Sequence, residues 1–131
     1  MKKIIHYKKA EIWMINLNPT LGIEMQKIRP CLILRVYSRT HIVILPISSK
    51  IKPEKFSFYL KNISFLSIKK SWICISQIKT IDTQRCIRKL GQLSEKKFIE
   101  IQKKSEKVLE LSPRKANAYN ESEEKNSTSE G

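Results

Sequence analysis

Two neighbouring apolar runs decide the fold class of this chain, PCLILRV at residues 30–36 and HIVILPI at residues 41–47. Both runs are nearly continuous in apolar side chains and rich in branched ones. Runs of this length and composition are typical of strands that are buried on both faces. The sequence therefore predicts a sheet at the centre of the molecule.

Further strands are predicted on either side of these two runs. The segment EIWMINL at residues 11–17 is β-rich and ends at the turn signal Asn18-Pro19. The segment SWICISQI at residues 71–78 is another predicted strand, with Ile73 and Ile75 at alternating positions, and residues 56–60 are a weaker strand candidate. About five strands with little room for parallel crossovers predict a mostly antiparallel sheet.

The hydrophobic period changes near Leu93, where the sequence predicts a helix. Ser94 is a suitable N-cap, and Glu95 in the first turn suits the helix dipole. Apolar side chains then recur at three- and four-residue spacing, at Phe98, Ile101, Val108 and Leu109. The predicted fold is mainly β with α, a small antiparallel barrel-like sheet with a C-terminal amphipathic helix packed on it.

The chain is expected to form one domain, residues 1–111, followed by a polar tail, residues 112–131. Pro113 prevents the helix from continuing, and the sequence after it is rich in Ser, Asn and Glu. Such a segment buries too little apolar surface to offset the entropy lost when it is ordered. We therefore predict that the tail is disordered.

The formal net charge of +14 is carried by the domain and not by the tail. The tail holds three basic and four acidic residues, so the first 111 residues carry +15. A compact domain of this charge is expected to bind a polyanion such as a nucleic acid. A genome biased towards A and T would also raise the lysine content, so charge alone leaves a merely soluble surface as the alternative.

Several function classes are disfavoured by what the sequence lacks. No apolar run approaches the roughly 20 residues of a membrane span, and no signal peptide is evident, which argues for the cytoplasm. The three cysteines, Cys31, Cys74 and Cys86, show no zinc-ligand spacing, so neither a metal nor another cofactor is predicted. His6 and His41 could act as base and acid in a ribonuclease, but two exposed histidines without a role are the favoured interpretation.

A polar loop joins the first two predicted strands, NPTLGIEMQKIRP at residues 18–30. Pro30 restricts Arg29 to extended backbone, which fixes the direction in which the guanidinium leaves the loop. An Arg side chain can donate two hydrogen bonds to one phosphate, and loops on a rigid sheet often carry chemistry. From these residues alone, the loop is either a phosphate site or an ordinary surface loop.

Three blocks of the chain, in this order, resemble the MazF/PemK toxin family. The first block runs from EIW at 11–13 through LNPT at 17–20 to the loop residues Gly22, Glu24, Lys27, Arg29 and Pro30. The second is PISSK at residues 46–50, and the third is QIKTIDTQR at 77–85 with LGQLS at 90–94. The resemblance covers about residues 9–111, and three ordered blocks are more specific than any one of them.

The resemblance implies an SH3-like barrel or sheet of the CcdB/MazF type and a toxin endoribonuclease. Such an enzyme cuts single-stranded mRNA at a short sequence motif without a metal. The ribose 2′-hydroxyl attacks the adjacent phosphorus, which leaves a 2′,3′-cyclic phosphate and a 5′-hydroxyl. The resemblance also implies a homodimer and a cognate antitoxin, whose acidic segment would neutralise the basic domain.

The resemblance also implies which residues form the site. Arg29 matches the family's catalytic Arg, which stabilises the phosphate, and Ser48 matches a catalytic Thr, whose hydroxyl donates to a phosphate oxygen. Glu24 matches a loop carboxylate, which either orients Arg29 or contacts RNA. The implied RNA-binding residues are Lys27, Gln77, Lys79 and Ser49.

Two other functions share the implied fold. CcdB-type toxins bind DNA gyrase and do not cut RNA, and a degenerate toxin would only bind its antitoxin. Lys27 and Arg29 together with Ser48 favour cutting, because the catalytic branch needs them and the gyrase binders lack them. Ser48 keeps the hydroxyl of the family's Thr but has a less constrained rotamer, so the degenerate alternative stays open and Ser49 is a substitute hydroxyl.

Overall fold

The computed structural model describes residues 4–111 and residue 113. Apart from Pro113, the tail at residues 112–131 lies outside the described residues, so its disorder and the domain boundary stay predictions. The described chain forms β1 (Glu11–Asn16), β2 (Ile28–Ser38), β3 (His41–Ser48), β4 (Ser57–Lys61), β5 (Lys70–Cys74), β6 (Lys79–Asp82), β7 (Cys86–Gln92) and α1 (Glu95–Val108).

The prediction of a mainly β fold with a C-terminal helix is confirmed, and the sheet has more strands than expected. The sequence pattern does not predict β6 or β7. β7 has the sequence CIRKLGQ, and its residues are half-buried or exposed throughout. A strand of this kind contributes little to the core and carries a weak hydrophobic period.

All strand pairs are antiparallel, in the order β4-β5-β3-β2-β1-β7, with β6 paired to β3 beside this path. Within residues 4–111 the sheet stays open and does not close into a barrel. β3 is the central strand, because its first half pairs with β6 and its last two residues pair with β5. The chain therefore changes partners at the end of β3, where Ser48 lies.

An apolar core lies on each face of the sheet. On the first face, α1 covers Leu45, Ile47 and Ile73 with Phe98 and Ile101. The second face carries the other core, formed by Trp13, Ile15, Leu17, Cys31, Ile33, Ile42, Ile44 and Ile81. Because side chains alternate along a strand, Pro46 and Ser48 point to the second face together with Ile44.

The helix begins where the sequence predicts it. Ser94 is the N-cap, and its Oγ accepts a hydrogen bond from the backbone N–H of Lys97 at 3.2 Å. Phe98 and Ile101 are buried, and Ser105 Oγ donates to the carbonyl of Ile101 at 2.8 Å. No helix in the part of the chain that the structure describes is long and apolar enough to cross a membrane.

Candidate active site

Arg29 and Ser48 lie at the same end of the two central strands and on the same face. The β2–β3 ladder ends at the pair Cys31 and Pro46, and each of the two residues lies two positions beyond that pair. Arg29 is also paired with Ile15 of β1, whose side chain belongs to the second core. The strand register therefore brings the two sequence-predicted catalytic residues to one region of the sheet.

The Arg29 guanidinium is fixed at one nitrogen. Its Nε donates a 2.7 Å hydrogen bond to the backbone carbonyl of Gln26, in the loop that precedes β2. The two terminal nitrogens have no hydrogen-bond partner among the described residues, so they can both donate to one phosphate. Pro30 holds Arg29 in β2 as the sequence predicts, and the carbonyl of Gln26 then sets the direction of its side chain.

The positive charges of Arg29 and Lys52 both affect the thiol of Cys74, which lies on β5 beside the end of β3. Burial raises the pKa of the Cys74 thiol, and the positive charges of Lys52 and Arg29 oppose that rise. Lys52 follows the end of β3 by four residues and was not among the sequence-predicted residues.

Ser48 and Ser49 differ sharply in exposure. Ser48 is 2% exposed, and its Oγ accepts a hydrogen bond from the backbone N–H of Lys50 at 3.1 Å. Ser49 is exposed. The Ser48 oxygen is thus fixed by the turn that follows β3, whereas the Ser49 hydroxyl is directly accessible to a ligand.

The base of the loop between β1 and β2 is closed by four hydrogen bonds. The N–H of Leu17 donates to the carbonyl of Lys27 at 3.0 Å, and the N–H of Lys27 donates to Asn18 Oδ1 at 3.0 Å. Arg85, directly before the neighbouring strand β7, donates to the backbone carbonyls of Asn16 and Asn18. Lys27 adopts a positive φ of 73°, so this closure holds a lysine in a conformation that L-residues rarely adopt.

Glu24 stabilises the outer turn of the loop. Its Oε1 accepts a hydrogen bond from the N–H of Leu21 at 3.2 Å, and its Oε2 lies 3.7 Å from Lys79 Nζ. The structure thus gives Glu24 a lysine partner, while Arg29 is held by the carbonyl of Gln26. Of the two roles considered for Glu24, orientation of Arg29 has no supporting contact.

Gln77 holds the same loop from the other side. Its Oε1 accepts from the N–H of Met25 at 3.1 Å, and its Nε2 donates to the carbonyl of Ile23 at 3.3 Å. Gln77 and Lys79 also line a pocket of about 220 Å³ at the edge of the loop. The other residues of that pocket are Leu17, Ile23, Glu24, Met25, Pro46, Ser76 and Ile78.

His41 does not join this region. His6 and His41 are both exposed, and His41 opens β3 while Ser48 ends it. Seven residue steps of extended strand place His41 about 23 Å from Ser48. Among residues 4–111, no three His, Cys, Asp or Glu side chains cluster as metal ligands would.

A family model described as PemK-like, MazF-like toxin of type II toxin-antitoxin system matches residues 8–109. The chain belongs to this toxin family. The prediction of MazF/PemK membership from three sequence blocks is therefore confirmed. Two relatives in the family are named endoribonuclease MazF, from Staphylococcus saprophyticus subsp. saprophyticus and from Staphylococcus epidermidis. Each is 29% identical over 101 residues, which is 72% of this chain and 83% of the relative.

Solved structures of family toxins share the fold. The Mycobacterium tuberculosis toxin MazF-mt6 superposes with a TM-score of 0.64 at 18% identity, covering 79% of this chain and 99% of that one. An endoribonuclease in complex with its cognate antitoxin, from a mycobacterial species, has a TM-score of 0.65 at 12% identity. The superposition covers 83% of this chain and 100% of that endoribonuclease. MazF from Deinococcus radiodurans has a TM-score of 0.65 at 17% identity, covering 79% of this chain and 96% of that one.

Proposed function

We propose that this toxin is an endoribonuclease that cuts single-stranded mRNA at a short motif without a metal. The attacking group is the 2′-hydroxyl of the RNA's own ribose. The O2′–P bond forms and the P–O5′ bond breaks, leaving a 2′,3′-cyclic phosphate and a 5′-hydroxyl. The 2′-hydroxyl loses one proton and the leaving 5′-oxygen gains one, so no co-reactant is consumed. Family membership and the names of its relatives support the endoribonuclease activity.

The observation that carries this proposal is that the Arg29 guanidinium is bonded through Nε, while its two terminal nitrogens remain available to a ligand. The reaction builds negative charge on the phosphorane oxygens, and a fixed fork of N–H donors stabilises that charge most when it needs no reorganisation. Arg29 is anchored through Nε to Gln26, which leaves its terminal nitrogens directed by the loop. Lys52, four residues beyond Ser48 at the end of β3, adds a second positive charge in the loop that follows.

The remaining site residues would hold the RNA strand and supply further hydrogen-bond donors and cations to its phosphates. Ser48 or the exposed Ser49 would donate a hydroxyl to a phosphate oxygen beside Arg29. Lys27 and Lys79 would bind neighbouring phosphates, as cations on a rigid surface do in non-specific nucleic-acid binding. Glu24 and Gln77 would keep the loop in its binding conformation, and Gln77 would reach a base edge only by giving up its loop contacts.

End mapping of RNA fragments tests the cleavage chemistry. The purified chain is incubated with a long RNA in EDTA, and the new ends are identified chemically. We expect 5′-hydroxyl ends at one recurring motif, and their loss in Arg29→Ala. Intact RNA would contradict the proposal, and intact RNA with inhibited DNA gyrase would support a CcdB-like toxin in its place.

Arg88→Ala is the matched control for Arg29→Ala. Arg88 is exposed on β7 and pairs with Met14, which points to the face opposite Ile15 and Arg29. Both variants lose one guanidinium, so the change in net charge is the same. Equal loss of cleavage in the two variants would mean that charge alone, and not the Arg29 position, drives the reaction.

We also propose that the toxin is a homodimer. An open groove of about 1240 Å³ runs between α1 and the sheet, and Val43, Ile78, Leu109 and Ile99 contribute apolar side chains to it. A second copy would bury this surface. Ile99→Glu should give a monomer by sedimentation, while Ile87→Glu, an exposed position on β7 outside the groove, should leave the dimer intact.

A cognate antitoxin with an acidic segment is the proposed partner in the cytoplasm. One family relative of known structure is described as bound to its cognate antitoxin, and this chain has a net charge of +14. An acidic partner would bind more weakly as salt rises, because exposed charges are screened. Isothermal titration at low and high salt measures this, and a salt-independent affinity would contradict it.

A further inference from the structure

A row of side chains leads from Ser48 across two neighbouring strands to a pair of aromatic rings. Ser48 of β3 pairs with Trp72 of β5, and Trp72 pairs in turn with Tyr59 of β4. Register partners point to the same face of a sheet, and neighbouring strands lie about 4.8 Å apart. Both rings therefore lie on the second face, one and two strands away from the candidate active site.

The two rings form an accessible surface. Their centroids lie 5.2 Å apart with an interplanar angle of 35°. Tyr59 is 44% exposed, and Trp72 is half-buried. The apolar core beneath these strands is on the first face, where Ile73 and Leu60 are buried, so the aromatic pair is not part of that core. Large aromatic rings at such a position are available to stack with a ligand.

Two lysines border the aromatic pair on the same face. Lys61 of β4 pairs directly with Lys70 of β5, two positions along from Tyr59 and Trp72. Like charges directly opposite each other destabilise a sheet. Neither lysine forms an ion pair with a carboxylate of residues 4–111. A bound phosphate would relieve this repulsion.

We propose that Tyr59 and Trp72 form a stacking platform for an unpaired base of the RNA strand, next to the phosphate held at Arg29, and that Lys61 and Lys70 bind the backbone beyond it. Aromatic side chains interleaved with cations are the usual arrangement for single-stranded nucleic acid, because every base has a face to stack. This inference rests on the proposed function, since RNA is the ligand. It gives the substrate strand a path across the sheet, from the β2–β3 end towards β4.

Quenching of Trp72 fluorescence by a strand that cannot be cut tests the platform. The probe is a 2′-O-methyl RNA of mixed sequence and about 12 nucleotides, which lacks the attacking hydroxyl. The second tryptophan, Trp13, is 7% exposed, so a base stacking on the surface reports through Trp72. We expect quenching by this strand and none by an abasic strand with the same backbone.

Affinity measurements on variants separate stacking from structural roles. Trp72→Val and Tyr59→Val should weaken binding of the base-bearing strand by roughly 5- to 150-fold, with the abasic strand unaffected. Trp72→Phe keeps a ring and should retain most of the affinity, which guards against misfolding of the Val variants. Ile87→Ala removes an exposed apolar side chain on β7, outside both the platform and the groove, and should change nothing.

The outcomes distinguish this inference from the proposed function. Equal losses for base-bearing and abasic strands, or wild-type affinity in Trp72→Val and Tyr59→Val, would overturn the platform even if the toxin cuts RNA. Quenching and base-dependent losses in a protein that does not cut RNA in EDTA would uphold the platform and overturn the cleavage. Lys61→Gln and Lys70→Gln should weaken both strands equally, since they contact only the backbone.

Discussion

Gln77 accepts a hydrogen bond from the backbone N–H of Met25 at 3.1 Å, across 52 positions of sequence. The same side chain donates to the carbonyl of Ile23 at 3.3 Å, so both ends of its amide are engaged by the loop between β1 and β2. This contact joins the third family block to the first. Gln77 is therefore a positioning residue for the loop that carries Glu24 and leads into Arg29 at the start of β2.

Gln77→Ala should loosen the loop without unfolding the protein. Two hydrogen bonds of about 1 kcal/mol each are lost, and both connect to one loop and not to the core. Amide hydrogen exchange at Met25 should accelerate, while the amide of Leu17, which donates to Lys27, stays protected. Gln77→Glu keeps the acceptor for Met25 and should preserve more protection. Unchanged exchange at Met25 in Gln77→Ala would contradict the role.

The sequence predicts the central strands and the helix because their signals are strong and local. The two apolar runs become β2 and β3, and Ser94 caps the helix as expected. β6 and β7 escape prediction because their hydrophobic pattern is weak, and pairing with β3 and β1 determines their conformation. The order of strands in the sheet likewise depends on long-range pairing that no local pattern contains.

For the site, the sequence supplies residue types and the fold supplies their neighbours. Resemblance selects Arg29, Ser48 and Gln77 from ordered blocks, but their catalytic roles stay predictions. The partner of Glu24, which is Lys79, and the burial of Ser48 follow from the loop and the strand register. The pairing of Tyr59 with Trp72 joins two segments that the sequence treats separately, so only the register reveals it.

Ser48→Ala and Ser49→Ala should differ in their effect on cleavage. If Ser48 supplies the hydroxyl, its loss should reduce the rate by roughly 100-fold, as loss of one donor to a developing oxyanion does. The melting temperature should fall only slightly, since the contact with Lys50 is at the end of a strand. The exposed Ser49 should then be dispensable. A normal rate in Ser48→Ala with a slow Ser49→Ala would transfer the role to Ser49, and rates at fixed RNA concentration decide between them.

Lys27→Gly should make the protein more stable and weaken its binding to RNA. Lys27 has φ of 73°, and an L-residue in that region costs about 1 kcal/mol that glycine avoids. Loss of the ammonium should reduce the salt dependence of RNA binding by about one charge. Urea unfolding and salt titrations measure the two effects. Lys27→Asn, which tolerates this φ, should show the same loss of charge, and lower stability in both variants would contradict the strain.

Glu11 should make the stability of the domain depend on pH in the acid range. Glu11 is 3% exposed and lies 2.9 Å from Lys89 Nζ, and its Oε1 accepts from Trp13 Nε1 at 3.0 Å. Burial alone would raise the pKa of this carboxyl, but the hydrogen bonds from Lys89, Trp13 and the N–H of Lys8, with the charge of Lys89, hold it below the ordinary 4.5. The carboxylate is therefore stabilised by folding.

Because the pKa of Glu11 is lower in the folded state, its contribution to stability is complete above pH 4.5 and is lost as the pH falls through the folded-state value. Glu11→Gln keeps an acceptor for Trp13 but cannot ionise, so its unfolding free energy should depend less on pH than that of the wild type. Glu11→Ala leaves Trp13 Nε1 without its acceptor and should cost about 1–3 kcal/mol near neutral pH. Urea unfolding at about pH 7 and about pH 3 measures both effects, and parallel curves for wild type and Glu11→Gln would show that Glu11 does not contribute to the acid transition.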